Sequence, residues 1–211
     1  MTDTATAFSL LAAAIAAYLI GSVPTGVIVA RLYRNVDVTQ VGSQRTGATN
    51  VARSLGLGAG AIVLLGDLAK GALAVALASW LSLGPAAVGL AWLLAIVGHM
   101  RSVFLRGRGG RGVGTGLGGL AVVFPLLFVI VIVSGALVVA ATRYVSLGSI
   151  CGCGIALLGS AMACATGRLA PEFLPFFILN PALVIWAHRD NIGRLRSGHE
   201  RRFGNDATEA T

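Results

Sequence analysis

The chain has 211 residues, 56% of them hydrophobic and only 11% charged, with a formal net charge of +8. Its mean hydropathy is +0.84. A water-soluble domain with that balance would expose too much apolar surface, so the composition excludes an ordinary soluble protein and points to an integral membrane protein.

The first apolar run, 7–30, is long enough to cross a bilayer and lacks a basic flank before it, so it reads as a span and not as a cleavable signal peptide. Further spans are expected at 56–82, 84–100, 146–166 and 171–187. The stretch 113–142 is harder to read. As one helix it would be about 45 Å long against a hydrocarbon core of about 30 Å, and Phe124-Pro125 lies near its middle. Cys151, Cys153 and Cys164 all fall in the 146–166 run, where cysteine is usually a small buried hydrophobe. Their spacing implies neither a disulfide framework nor a metal site.

Charge placement decides how 113–142 is divided. Arg31, Arg34, Arg45 and Arg53 lie in the first connection, Arg101, Arg106, Arg108 and Arg111 in the second, and Arg189, Arg194, Arg196, Arg201 and Arg202 near the C-terminus. The positive-inside rule wants all three groups on the cytoplasmic face, which requires an even number of crossings between Arg111 and His188. A break at Pro125 provides it. The expected fold is therefore all-α and polytopic, with seven transmembrane helices, the N-terminus outside and the C-terminus cytoplasmic. Fourteen of the sixteen basic residues then face the cytoplasm, leaving Arg168 outside and Lys70 within a span. One integral-membrane domain, 1–198, is followed by a short polar cytoplasmic tail, 199–211.

Four polar segments meet at that face: 41–54, 98–116, 143–149 and 187–195. They gather Ser, Thr, Asn, His and many Arg beside repeated Gly, with few carboxylates, which suits an anionic ligand. Arg offers a planar fork of donors matched to phosphate oxygens. Gly lets successive backbone N–H groups turn inward as an anion-binding nest, to which a following helix adds its positive end. FLRGRGGRGVGTG (104–116), with three arginines and six glycines in thirteen positions, fits that description. Topology alone would require the charge but not the glycine. The two G-x-G-x-x-G matches in this region follow no predicted strand, so a dinucleotide site is not expected. RGRGGRG runs straight into a span, unlike RNA-binding tracts in disordered polar segments, so no nucleic-acid partner is expected.

Asp67 and Lys70 stand at i, i+3 inside the second span. They read either as a self-neutralising pair that locks one helix against its neighbours or as an inward extension of the anion site. His188 and Asn191 repeat that spacing at the end of the last span, just after Trp186, an expected interface anchor. His188 is read as either a helix-end cap or a ligand-binding or acid-base group. His99 occupies a similar place at the second connection, and His199 reads as solvated.

The succession GSVPTG (21–26), VGS…GATNVAR (41–53), D-x-x-KG (67–71), GHM…VFL…GGRGVGT (98–115), RYVSLGSI (143–150) and HRDNIGRL…G-x-E (188–200) resembles the bacterial acyl-phosphate:glycerol-3-phosphate acyltransferases, the PlsY family. The motifs occur in order over nearly the whole chain. The resemblance implies a seven-helix enzyme of the bacterial cytoplasmic membrane that transfers a fatty acyl group from acyl phosphate to the 1-hydroxyl of glycerol-3-phosphate. The products are lysophosphatidic acid and phosphate. The family uses neither acyl-CoA nor acyl carrier protein, and no cofactor or metal is implied. The expected partners are the two substrates and membrane lipid.

Carried over by position, Ser43, Thr49 and Asn50 would bind phosphate or position the acyl carbonyl, while Arg53 and the basic residues Arg108 and Arg111 would hold phosphates. Ser146, His188 and Asn191 would complete the glycerol-3-phosphate pocket, with Ser43 and His188 the candidate catalytic residues. The chain departs from the family pattern at Gln44-Arg45, where Gly-Asn is usual, at Arg108 and Arg111, where lysines are usual, and at Arg101-Ser102. An acyl phosphate is a reactive mixed anhydride, so transfer needs mainly alignment and charge stabilisation, without a covalent enzyme intermediate. The rivals are an anion transporter, for which an internal duplication would be expected and none is visible, and a non-catalytic protein that binds phosphate or lipid headgroups.

Overall fold

In the computed structural model, which describes residues 3–204, proline cuts the long apolar runs into shorter helices. α1 (Asp3–Ser22) stops before Val23-Pro24, and α2 (Thr25–Arg34) begins immediately after. This corrects the single helix expected at 7–30, because Pro24 lacks an N–H and its ring crowds the preceding turn. The carbonyls exposed by the break are captured from far along the chain: Ser102 Oγ donates to the Ser22 oxygen at 2.6 Å, and Lys70 Nζ donates to that of Val23 at 3.0 Å.

The first basic connection contains the two-turn α3 (Ala48–Leu55), followed by α4 (Leu57–Trp80) and α5 (Pro85–Met100). A 3-10 turn at Val103–Leu105 opens the glycine-rich loop. α6 (Val113–Val123) then ends one residue short of Pro125, where α7 (Pro125–Thr142) starts. α8 (Val145–Ala165), α9 (Leu174–Ala187) and the short α10 (Arg189–Arg196) complete the order. Residues 205–211 of the expected tail lie outside the described residues.

The break at 124–125 is a reversal. Val113 and Gly114 at the start of α6 line the same cavity as Val145 and Ser146 just past the end of α7, so 113–142 runs out and back. Four candidate spans are long and apolar enough to cross a bilayer by length and composition (Thr4–Arg34, which takes in α1 and α2 across the Pro24 break, Leu57–Trp80, Pro125–Thr142 and Val145–Ala165), and three shorter apolar helices accompany them. The outer surface fits lipid, with Leu11, Leu65, Leu137 and Leu158 each at least 60% exposed.

Within lipid, helices associate through close packing more than through the hydrophobic effect, and glycines set that packing here. A Cβ on Gly71 would overlap the Thr115 carbonyl, and one on Gly118 would overlap that of Leu68, so α4 and α6 meet backbone to backbone. Gly21 against Ala95 and Gly98 against Tyr18 do the same for α1 and α5. Trp92 of α5 ties the centre together. It donates to the Gly116 carbonyl at 2.9 Å and meets Phe177 of α9 edge-on, ring centres 5.1 Å apart.

Candidate active site

Loop 38–47 is wound around one side chain. Asn50 is buried, its Nδ2 donates to the carbonyls of Val38, Val41 and Arg45, and its Oδ1 accepts the Ser43 N–H at 2.8 Å. Its amide is thus engaged by the loop, and Asn50 shapes the cradle that presents Ser43. The loop turns through the left-handed region at Gly42 (φ 59°) and Gln44 (φ 56°).

The glycine-rich loop owes its composition to His99. A Cβ on Gly109 would overlap the His99 carbonyl, and one on Gly110 would overlap its imidazole Nε2. Gly110 N–H also donates to the His99 carbonyl at 3.2 Å. Only a side-chain-free segment can lie that close, and the contact delivers Arg111 to the site. Burial pushes the Arg111 guanidinium down to about 10, with Arg45 and Arg194 acting the same way and Glu200 and Asp190 opposing; it remains a cation at neutral pH. Its Nε is buried without a protein partner.

The last helices bring in the third wall. His188, buried between α9 and α10, places Nδ1 2.7 Å from the Val184 carbonyl. A carbonyl only accepts, so Nδ1 carries the proton and Nε2 keeps a lone pair. Burial pushes the imidazole down to about 4, helped by Arg111 and opposed by the Val184 hydrogen bond and Glu200, which leaves the ring neutral at physiological pH. Beyond α10 the chain folds back and buries Glu200. Its Oε1 accepts from Ser146 Oγ at 2.8 Å and Asn191 Nδ2 at 2.6 Å, and its Oε2 accepts from Arg194 Nε at 2.8 Å. Burial works to raise the carboxyl, but these hydrogen bonds hold it below the usual carboxylate range. Arg53 pins the same segment by donating to the Arg201 carbonyl at 3.1 Å.

Three cavities are contiguous through shared walls. A polar one of 450 Å³ is lined by Arg45, Arg53, Arg101, Arg108, Arg111 and Arg194, among others. Beneath it a cavity of 200 Å³ shares Ser43, Arg45, Arg53, Arg111 and Asn191 with the first. It adds Thr49, Ser146, His188 and Glu200. The N-terminal residues of α3, α6, α8 and α10 all border it, and none of the four helices has a side-chain cap. Uncapped helix N-termini carry unsatisfied N–H groups and partial positive charge, so four of them converge on one anion-sized space. That cavity shares Leu64, Val113, Val145 and Ser149 with an apolar chamber of 320 Å³ between α4–α6 and α7–α9. An amphiphile with an anionic head fits this sequence of spaces.

A family model described as Glycerol-3-phosphate acyltransferase matches residues 11–198. The chain belongs to the glycerol-3-phosphate acyltransferase family. A glycerol-3-phosphate acyltransferase of Thermus thermophilus is 44% identical over 188 residues, covering 89% of this chain and 92% of that protein. One from Solidesulfovibrio magneticus is 41% identical and covers 98% of each chain. The crystal structure of PlsY (YgiH), an integral membrane glycerol 3-phosphate acyltransferase, superposes with a TM-score of 0.85 in its glycerol 3-phosphate form. The identity is 36%, over 93% of this chain and 96% of that one. The lysophosphatidic acid form gives a TM-score of 0.84. Like its relatives, the chain is an integral membrane protein.

Against this glycerol-3-phosphate acyltransferase frame, the structure brings Ser43, Thr49, Asn50, Arg53, Arg111, Ser146, His188 and Asn191 around the 200 Å³ cavity, and Arg108 around the larger polar one. Lys70 borders neither. Its ammonium lies 2.9 Å from Asp67 Oδ1 and donates to the Val23 carbonyl, contacts that tie α4 to the break between α1 and α2. Asp67 also accepts from Thr25 Oγ1 at 2.5 Å and lies 3.4 Å from His99 Nδ1, joining α2, α4 and α5 beneath the cavity. Sequence reasoning set His99 beside His188 as a candidate but did not single out Thr25 or, above all, Glu200. The only signal for Glu200 was the G-x-E at 198–200.

Proposed function

We propose that the chain transfers a fatty acyl group from acyl phosphate to the 1-hydroxyl of glycerol-3-phosphate, releasing lysophosphatidic acid and phosphate. One observation carries the reading: the cavity bordered by four uncapped helix N-termini, Arg53 and Arg111 opens directly into an apolar chamber. The acyl tail occupies the chamber, its phosphate lies at the helix N-termini, and glycerol-3-phosphate enters from the arginine-lined cavity above. The substrate hydroxyl attacks the carbonyl carbon, a new C–O ester bond forms, the carbonyl–phosphate C–O bond breaks, and phosphate leaves with the electron pair. Backbone N–H groups and arginines stabilise the developing negative charge.

His188 accepts a hydrogen bond from the attacking hydroxyl through Nε2. With its pKa held near 4, it is a weak base, and the departing phosphate is the better proton acceptor. Ser43 and Thr49 orient the carbonyl and phosphate, Arg108 and Arg111 hold phosphate, and Ser146 and Asn191 are aligned on Glu200. Asn50 serves by shaping the loop.

The same proposal includes topology. Seven crossings, with the N-terminus outside and the C-terminus cytoplasmic in the bacterial inner membrane, are supported by seven apolar helices and by basic groups gathered at the site end. The acyltransferase domain is 1–198, and 199–211 begins with the segment that returns Glu200. The test of the donor uses purified protein and labelled glycerol-3-phosphate with either an acyl phosphate or the matching acyl-CoA. Labelled lysophosphatidic acid is expected with acyl phosphate alone; product from acyl-CoA at a comparable rate contradicts the reading.

A further inference from the structure

We infer that the floor of the apolar chamber, made by Phe177, Ala156 and Val131, sets the length of the acyl chain that is transferred. This rests on the acyl-phosphate reading above. The face of α9 that carries His188 continues down the chamber through Val184, Pro181 and Phe177, at steps of three and four residues. Phe177, the deepest lining residue on α9, stands 11 residues before His188. On α7 the deepest is Val131, 11 residues before the helix end at Thr142, and on α8 it is Ala156, 11 residues after Val145. At about 1.5 Å per residue each count gives about 16 Å, so three helices agree on one level floor.

The floor is closed from below. Phe177 is fully buried and braced edge-on by Trp92. One turn beneath Val131, the buried Leu127 fills the notch left by Gly159, where a Cβ would press on its Cδ1. Higher up, Gly148 and Gly152 line the chamber and leave it wide. Carbon–carbon bonds of about 1.5 Å in a zig-zag advance about 1.3 Å per carbon, so an extended chain with its carbonyl at the His188 level meets the floor after about 12 to 14 carbons. A longer chain has to turn aside past the half-exposed Ile132 into the bilayer.

The test is a competition in which purified protein receives glycerol-3-phosphate and an equimolar mixture of saturated acyl phosphates of 8 to 18 carbons. The lysophosphatidic acids formed are measured by mass. Wild-type product should peak at about 12 to 14 carbons. Phe177→Ala lowers the floor by about one helical turn, ~5 Å, and should lengthen the preferred chain by about four carbons. Phe177→Leu, a gentler change, should move it in the same direction by about half as much. Ala156→Leu raises the floor and should shorten the preferred chain by about two carbons. Melting temperatures identify any variant that does not fold, and the other variants then decide. If every active protein peaks at the same length, the floor does not select and the inference falls. If no acyl phosphate of any length is used by wild type, the donor reading fails, and the inference with it.

Discussion

Removing the Glu200 carboxylate tests whether the returning tail organises the site. Glu200 accepts three hydrogen bonds, two of them from the buried Ser146 and Asn191 and one from the partly exposed Arg194. In Glu200→Ala, Ser146 Oγ and Asn191 Nδ2 lose their acceptor, at about 1–3 kcal/mol for each stranded buried group. The Arg194 pair, screened by solvent, adds less than about 1 kcal/mol. The sum is about 2–7 kcal/mol. In Glu200→Gln the amide oxygen can keep the Ser146 and Asn191 bonds while its NH₂ faces Arg194, so only the smallest contribution is lost. The assay is initial-rate kinetics in both substrates together with thermal unfolding in detergent. The expected order is a threefold to tenfold rise in KM for glycerol-3-phosphate with little change in Tm for Gln, and a loss of kcat/KM beyond 100-fold with a clear fall in Tm for Ala. If Ala leaves both KM and Tm within experimental error of wild type, the Glu200 hydrogen bonds do not hold the pocket.

Five further outcomes are expected. His188→Gln should chiefly raise KM for glycerol-3-phosphate; a collapse of kcat by 10²–10⁴ at unchanged KM, in a folded protein, would make His188 the base. Because burial pushes the His188 pKa from its ordinary value of 6.5 down to about 4, the ring stays neutral as pH falls through 6.5. The kcat/KM profile should accordingly show no inflection at 6.5 from this residue and an acid limb near 4, while stability declines from 6.5 downward as only the unfolded chain gains that proton. Arg111→Ala should reduce kcat/KM by a few kcal/mol in activation free energy, the scale of a lost charge-assisted hydrogen bond, and an effect under twofold would make Arg111 a topology signal. Gln44→Gly should raise stability by about 1 kcal/mol, read as Tm, since φ 56° places a Cβ where glycine is favoured; a lower Tm would mean that the Gln44 side chain contributes more than its backbone strain. Single cysteines at 45, 108, 143 and 194 in a cysteine-free background should label from the cytoplasmic side and one at 168 from outside; outside labelling at 143 would remove the crossing proposed at Pro125.

Much of the scaffold was legible because hydrocarbon length and arginine placement are local signals. The division at Pro125 followed from charge parity together with the excess length of 113–142 and its central proline, and α6 and α7 do separate there. The division at Pro24 was hidden. Membrane helices tolerate proline when other groups satisfy the freed carbonyls, and here those groups are Lys70 and Ser102, 47 and 80 positions away in sequence. The same distance concealed the commitment of Lys70, which no pattern within its own helix reveals. Asn50 was legible as important but not in its manner of acting, since nothing in the string says that its amide faces loop carbonyls. Glu200 was hardest to read, because a carboxylate in an Arg-rich polar segment looks solvated until the chain is seen to return to Ser146, 54 residues earlier.

The central claim is a direct acyl transfer between two phosphate-bearing substrates in one pocket, and product stoichiometry tests it most directly. Purified protein is given myristoyl phosphate with and without glycerol-3-phosphate, and inorganic phosphate and lysophosphatidic acid are measured in the same samples. Phosphate release that depends on glycerol-3-phosphate, with one lysophosphatidic acid formed per phosphate, is the predicted result. Phosphate released at an equal rate without glycerol-3-phosphate, or no lysophosphatidic acid from protein shown to be folded, would contradict it.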